Sequence, residues 1–192
     1  MLNRESLHTL EKYAEIRDQF RRDVMEHKKN RRLALGTNAT LYFEDSMTMQ
    51  YQVQEMLRIE KIFDAAGIQE ELDTYNPLIP DGSNWKATFM VEFPDIDERK
   101  AMLTRLIGIE DKVWMQVGNL PRIIPIADED LERSDDEKTS AVHFLRFELS
   151  KEQVQSLKDG SPLAAGIEHD VYRVEINPID ENIRLALLKD LD

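Results

Sequence analysis

Apolar residues recur at three- and four-residue spacing through residues 5–30, at Leu7, Leu10, Tyr13, Ala14, Phe20 and Val24, and this period predicts a helix. Gly36 and Asn38 punctuate the chain between two short β-prone pieces, residues 32–35 and 40–43, which predict a hairpin. Residues 47–66 return to helical period, with Met49, Val53, Met56, Leu57 and Phe63 on one stripe and Gly67 as the expected stop. A shorter helix is expected over 69–75, ending before Pro77, because a residue preceding proline is pushed out of the helical region. Residues 77–82 read as a turn or linker.

The rhythm then changes. Ala87, Phe89, Val91 and Phe93 alternate with polar positions and predict a half-buried strand. Asp95 is a helix cap, followed by a helix with Ile96, Leu103, Leu106 and Ile107 on its inner face and Gly108 near its end. Val113, Met115 and Val117 mark another strand, and a loop is expected over 119–140. The pattern recurs with a strand over 142–149, a cap at Ser150, a helix to Lys158, Gly160, and a strand near 171–176. A last helix is expected over about 179–191.

Strand–helix–strand written twice most simply makes a four-stranded, mostly antiparallel, ferredoxin-like sheet with helices on one face. The expected fold class is therefore α+β, with a helical N-terminal half packed on that sheet. The expected organisation is a mainly helical region with a short hairpin over residues 1–80 and an α+β region over 81–192, together one compact domain.

Ionisable residues in unusual places supply the candidate chemistry. Glu60 falls on the second helix's apolar stripe, four after Met56 and three before Phe63. A buried carboxylate needs a partner, a proton or a metal. Arg17 interrupts the first helix's stripe of Leu10, Tyr13, Phe20 and Val24 in the same way, so Arg17 is expected beside Glu60 or another inward carboxylate. Gln54, Glu55, Arg58 and Lys61 lie off the stripe, and Glu55 and Arg58, three apart, can touch. A solvated charged face accounts for these residues. The alternative is a polar pocket that also takes in Glu71, Asp73, Tyr75 and Asn76 from the next helix end.

His143 shares a strand face with Ala141, Leu145, Phe147 and Leu149, whereas Arg146 points the other way with Phe144. A histidine so placed is either a core residue with one hydrogen bond or a ligand. His169 lies in or near a turn, and His8 and His27 are too far apart on one helix to share a metal. Glu60, His143 and His169 are the candidate metal ligands, and their oxygen and nitrogen donors would suit iron, manganese or zinc. The sequence has no phosphate-binding glycine loop, dinucleotide fingerprint, nucleophile elbow or helical His-Glu metal motif.

Composition narrows the classes. With 25 Lys+Arg against 38 Asp+Glu, the formal charge is −13, and Cys is absent, which excludes disulfides, thiolate nucleophiles and Cys-held clusters. No apolar run is long enough to span a membrane, and the first residues lack an apolar signal core, so a cytoplasmic location is the expectation. Seven Lys and Arg stand against three Asp and Glu over residues 17–32, which favours a helix C-terminus. The acidic remainder opposes nucleic-acid binding. Residues 128–137 hold seven acidic side chains and one arginine. That segment is suited to steering a basic partner.

The run from Leu35-Gly36 to Phe43-Glu44, then Gln52 to Lys61, then Glu71 to Tyr75-Asn76-Pro77-Leu78-Ile79-Pro80, with the later block Ser140 to Phe147, resembles a bacterial family catalogued as domain of unknown function 3501. The resemblance covers essentially the whole chain and carries no catalytic signature. It directs attention to Gln54, Glu55, Arg58, Glu60, Glu71, Tyr75, Asn76 and Arg146. It also implies a genetic setting beside rubrerythrin-like proteins and iron–sulfur oxidoreductases, hence an accessory role in a redox or oxidative-stress system. The first expectation is a non-catalytic protein that docks on a redox protein. The alternatives are a metal- or small-molecule-binding enzyme built on Glu55, Glu60, Glu71 and His143 or His169, and a ligand-sensing module that forms a homo-oligomer.

Overall fold

A computed structural model describes residues 1–192, which separate into two compact units. The chain is α+β, with six α-helices and two antiparallel sheets.

The first unit comprises Met1–Asn30 and Glu44–Pro80. Its helices are α1 (Leu10–Lys29), α2 (Ser46–Glu60) and α3 (Ala65–Tyr75). Thr9, Asp45 and Asp64 cap their N-termini by accepting backbone N–H bonds, so α1 begins later than the apolar period alone suggests. Val53, Leu57 and Leu72 form a small core, with Leu2, Leu7, Leu10, Ile62, Ile68 and Tyr75 packed on it. α2 stops at Glu60 because Lys61 takes a left-handed conformation and its N–H bonds Leu57 O. Gly67 therefore does not end this helix. It lies inside α3, where its N–H donates to the Asp64 carboxylate at 2.9 Å.

The second unit comprises Arg31–Phe43 and Asp81–Asp192. It contains β1 (Arg32–Ala34), β2 (Ala39–Phe43), β3 (Asn84–Val91), α4 (Ile96–Arg105), β4 (Val113–Val117), β5 (Ile126–Ala127) and β6 (Val142–Glu148). α5 (Lys151–Lys158), β7 (Leu163–His169), β8 (Tyr172–Ile176) and α6 (Glu181–Leu188) follow. The β1–β2 hairpin, expected within the helical region, thus belongs to the second unit.

The ferredoxin-like four-stranded sheet is not formed. One sheet has five strands in the order β1-β2-β3-β6-β5 and the other has three in the order β4-β7-β8. Each strand–helix–strand segment crosses from one sheet to the other, so β3 pairs with β6 and β4 with β7, always antiparallel. The hairpin flanks β3 on the side away from β6, where the expected layout would have set its fourth strand, with Leu41 opposite Phe89. The inward faces of both sheets share one core that includes Phe43, Trp85, Phe89, Met115, Phe147 and Ile167. Trp85 donates its indole N–H to Leu187 O at 2.9 Å, which docks α6 on that core.

β7 escapes the sequence reading for a physical reason. It is the central strand of its sheet and Leu163 to Ile167 are all buried, so the run shows no alternation. Ile96 at the start of α4 and Ile107 beyond its end are exposed rather than inward, while Leu106, at its C-terminal cap, is buried. No helix is long and apolar enough to cross a membrane.

Candidate functional site

The most concentrated polar chemistry of the second unit gathers around His143. Its strand β6 directs it to the buried face, where its ring lies 6.2 Å from that of Phe89, the residue opposite it in register. The imidazole is fully buried. Its Nδ1 meets Asp128 Oδ2 at 2.6 Å, and its Nε2 meets Thr139 Oγ1 at 3.0 Å and Ser140 O at 3.1 Å. Glu110 Oε2 lies 3.8 Å from the same Nε2. Glu110 in turn accepts hydrogen bonds from the Ser134 and Thr139 hydroxyls. Glu110, Asp128 and His143 form a group of potential metal ligands whose donor atoms all lie within 4.8 Å of one another.

Asp128 follows β5 and has φ of +50°, a left-handed conformation that aspartate tolerates better than most residues. The backbone there turns the carboxylate back onto β6. Oδ1 accepts from Phe144 N–H at 2.9 Å, while Oδ2 holds the histidine. Arg133 reaches Asp128 Oδ1 at 3.3 Å, grips Asp130 with both terminal nitrogens, and stacks over Phe144 at 4.6 Å. The ion pair with Asp130 first, and with Asp128 after it, raises the Arg133 pKa and holds the Asp130 carboxyl below its usual range. Glu110, Asp111, Asp128, Glu132, Arg133 and Ser134 border an open cleft of about 240 Å³.

The first unit has its own charged centre at Glu55. Arg17 donates Nε to Oε1 at 2.7 Å and Nη2 to Oε2 at 2.9 Å, a side-on bidentate pair. Arg58 Nη2 donates to Oε2 at 3.0 Å and the Tyr13 hydroxyl donates to Oε1 at 2.7 Å. Arg17 foremost, then Arg58 and Tyr13, hold the Glu55 carboxyl down at about pKa 2 against the opposing effect of burial. Burial, and then the hydrogen bond to Glu55, push the Tyr13 hydroxyl up.

Arg17 therefore has an inward carboxylate partner, Glu55 rather than Glu60. Glu60 is exposed at the last turn of α2, and Phe63, expected to continue its stripe, is 73% exposed. The buried face of α2 runs through Met49, Val53 and Leu57, and Glu60, seven after Val53, keeps that angular position but lies in the last turn, where residues 58–60 are all exposed. Glu60 does approach Glu71, whose carboxyl is raised by burial and then by the charges of Glu60 and Glu70.

Gln54 is buried rather than solvated. It accepts from His8 N–H at 2.6 Å and donates to His8 O at 3.2 Å. Asn76 clasps the backbone of Leu2 in the same two-bonded way, at 2.8 and 3.0 Å. Tyr75 packs on the small core. These residues order the N-terminal segment and do not converge on one polar pocket. Arg146 belongs to the second unit, where it bridges Glu129 and Glu148 on the exposed side of β6, with the Glu129 pair foremost in raising its pKa. His169 lies at the end of β7 with its ring nitrogens engaged by Ile107 O and Val171 N–H, so it joins neither His143 nor Glu60 in a ligand set.

Sequence reasoning misses Glu110, Asp128, Ser134 and Thr139. Asp128 is hidden in an acidic run that reads as solvent-facing. Glu110 sits in a single 3-10 turn with no period. The one available signal is the histidine on an apolar strand face, which demands a polar partner.

A family model described as "Protein of unknown function (DUF3501)" matches residues 1–191. The crystal structure of a novel protein of unknown function from Burkholderia pseudomallei K96243 is 51% identical in sequence and superimposes with a TM-score of 0.94, covering 100% of this chain and 99% of that one. No curated protein matches.

Proposed function

Because the chain belongs to the DUF3501 family of proteins of unknown function, we propose from the site itself that this is an accessory protein that docks on a basic partner through residues 128–137. The observation that carries the reading is the anchoring of that acidic segment. Asp128, Ser134 and Thr139 tie it to Glu110 and His143 by buried or half-buried side-chain bonds. Between the anchors, Glu132, Asp135, Asp136 and Glu137 are exposed, and Leu131 stands 64% exposed among them. An ordered acidic surface around one apolar side chain steers a basic partner by charge and offers it a contact to bury. That the partner is a redox protein rests on the sequence resemblance alone.

The test is affinity capture from the native host with wild-type chain and with a Leu131→Ala, Glu132→Gln, Asp136→Asn, Glu137→Gln variant. A partner held by the wild type, lost by the variant and released as salt rises is the expected result. Equal capture by both proteins rejects the reading.

The Glu110–Asp128–His143 group favours a second reading, a divalent metal site. Asp128 on Nδ1 leaves Nε2 facing Glu110, the Thr139 hydroxyl and Ser140 O, and a carboxylate on one ring nitrogen is how a histidine is oriented toward a metal on the other. Nitrogen and oxygen donors fit zinc, manganese or iron. Glu110 and His143 Nε2 would hold the ion in place of the Thr139 and Ser140 contacts to Nε2, and it would supply Lewis-acid chemistry. Elemental analysis of freshly, anaerobically purified protein decides it: near-stoichiometric metal that Glu110→Gln loses supports the site, and no metal in either protein removes it.

A further inference from the structure

We propose that β8 is a homodimer edge, on which a second copy of this chain pairs its own β8 antiparallel and centred on Val174. The strand is the last of its sheet and pairs with β7 alone. His169 and Tyr172 face each other across the two-residue turn Asp170–Val171. That register aims the backbone groups of Tyr172, Val174 and Ile176 at β7 and those of Arg173 and Glu175 outward. No other backbone hydrogen bond of the chain takes up these outward groups. Both residues are exposed, whereas Tyr172, Val174 and Ile176 pack against the core.

An exposed edge needs a device that either blocks pairing or selects it. Two like charges would block it. Here the outward pair is one arginine and one glutamate, two residues apart. In an antiparallel two-fold centred on Val174, Arg173 of each copy stands opposite Glu175 of the other, and both exchange their outward N–H and C=O groups. Centring on Arg173 or on Glu175 instead sets like charges opposite one another, which cross-strand pairing disfavours. Charge thus selects one register, and that register is the one that satisfies every outward backbone group. Arg173 is 70% exposed and gives up only a long surface contact to Asp170, at 3.4 Å, to make the new pair. The result is a continuous six-stranded sheet with an isologous interface. The strand is short, so the expected association is weak, in the micromolar range.

Sedimentation velocity of the full chain across micromolar concentrations tests the pairing. Wild type is expected to shift reversibly from monomer to dimer. Arg173→Glu, which sets glutamates opposite each other, should weaken association by about tenfold or more, and adding Glu175→Arg should restore it. Circular dichroism checks that the variants keep the fold. A wild type that stays monomeric throughout overturns the proposal, and so does a dimer that Arg173→Glu leaves unchanged.

Discussion

Arg17 and Glu55 meet side-on across α1 and α2, at 2.7 and 2.9 Å, with the arginine 31% and the glutamate 13% exposed. The pair is half-shielded from water, and the Tyr13 hydroxyl and Arg58 complete the carboxylate's hydrogen bonding. Its energetic role lies between two limits, because an exposed pair contributes little and a fully buried one must offset its own desolvation.

Removing the charge tests that role. Glu55→Gln leaves Arg17 without its counter-ion and the half-buried donors poorly matched, so unfolding free energy should fall by about 1–3 kcal/mol in urea titration. The pH dependence has a definite sign. Glu55 is held near pKa 2, below the value of about 4.3 expected in an unfolded chain. Its contribution is therefore present above about pH 4.3 and is lost as pH falls through about 2. Wild type should lose stability across that window more steeply than Glu55→Gln. Parallel curves would mean that the pair is energetically idle.

The sequence pattern placed most elements but not their partners. Caps at Asp95 and Ser150 and alternation at Phe89 and Val91 are local signals, and the structure keeps them. Strand pairing is not local. Nothing in residues 113–117 states that Trp114 faces Gly166 rather than a residue of β3, so two crossings between sheets looked like one sheet. Site residues divide on the same line. Arg17 was legible because a charge interrupts an apolar stripe on its own helix. Glu60 misled because the stripe was extended through a left-handed stop at Lys61 that no glycine announces. Asp128 was illegible because its role depends on a left-handed turn and on strand β6, fourteen or more residues downstream.

Gly166 is the position where this non-local geometry is tightest. A Cβ there would come within 2.4 Å of Val174 O and 2.5 Å of the Trp114 ring. The backbone contact cannot be relieved by a rotamer change. Gly166→Ala should cost about 1–3 kcal/mol or more, the range for overpacking a dense site. Adding Trp114→Ala should not restore stability, since the clash with the strand remains. Full rescue by that second change would place the strain in the ring alone.

Arg31 and Asp190 are almost wholly buried, at 3% and 8% side-chain exposure, and form an ion pair between the start of the hairpin and the chain's last turn. Arg31 also donates Nε to Phe43 O at 3.0 Å. Removing one charge takes from the other a close partner in a low-dielectric setting. Asp190→Ala is expected to lower stability by about 1.5–3 kcal/mol, the range for a lost hydrogen bond to a charged group, while replacing both residues with apolar ones of similar volume should cost less. Thermal unfolding of the three proteins separates these outcomes, and a single variant as stable as the wild type would show that the pair contributes nothing to stability.

Asp128 joins the backbone and the chemistry of the acidic segment, so its substitutions should fall in a fixed order. Asparagine tolerates φ of +50° and keeps an oxygen for Phe144 N–H, but it loses the charge beside His143 and Arg133. Alanine loses all of these and adds a left-handed penalty of about 1–2 kcal/mol. Asp128→Ala should therefore be less stable than Asp128→Asn by at least about that amount in denaturant unfolding. Hydrogen exchange supplies the second readout. If Asp128 pins the segment to β6, the Phe144 and Asp128 amides, which bond Asp128 Oδ1 and Phe144 O, should exchange faster in Asp128→Ala, while amides of the distant β7 keep their protection. Uniform loosening of the whole unit would instead make Asp128 a general core residue. Unchanged exchange at Phe144 would detach the acidic segment from the histidine network and remove the ordering on which the docking proposal depends.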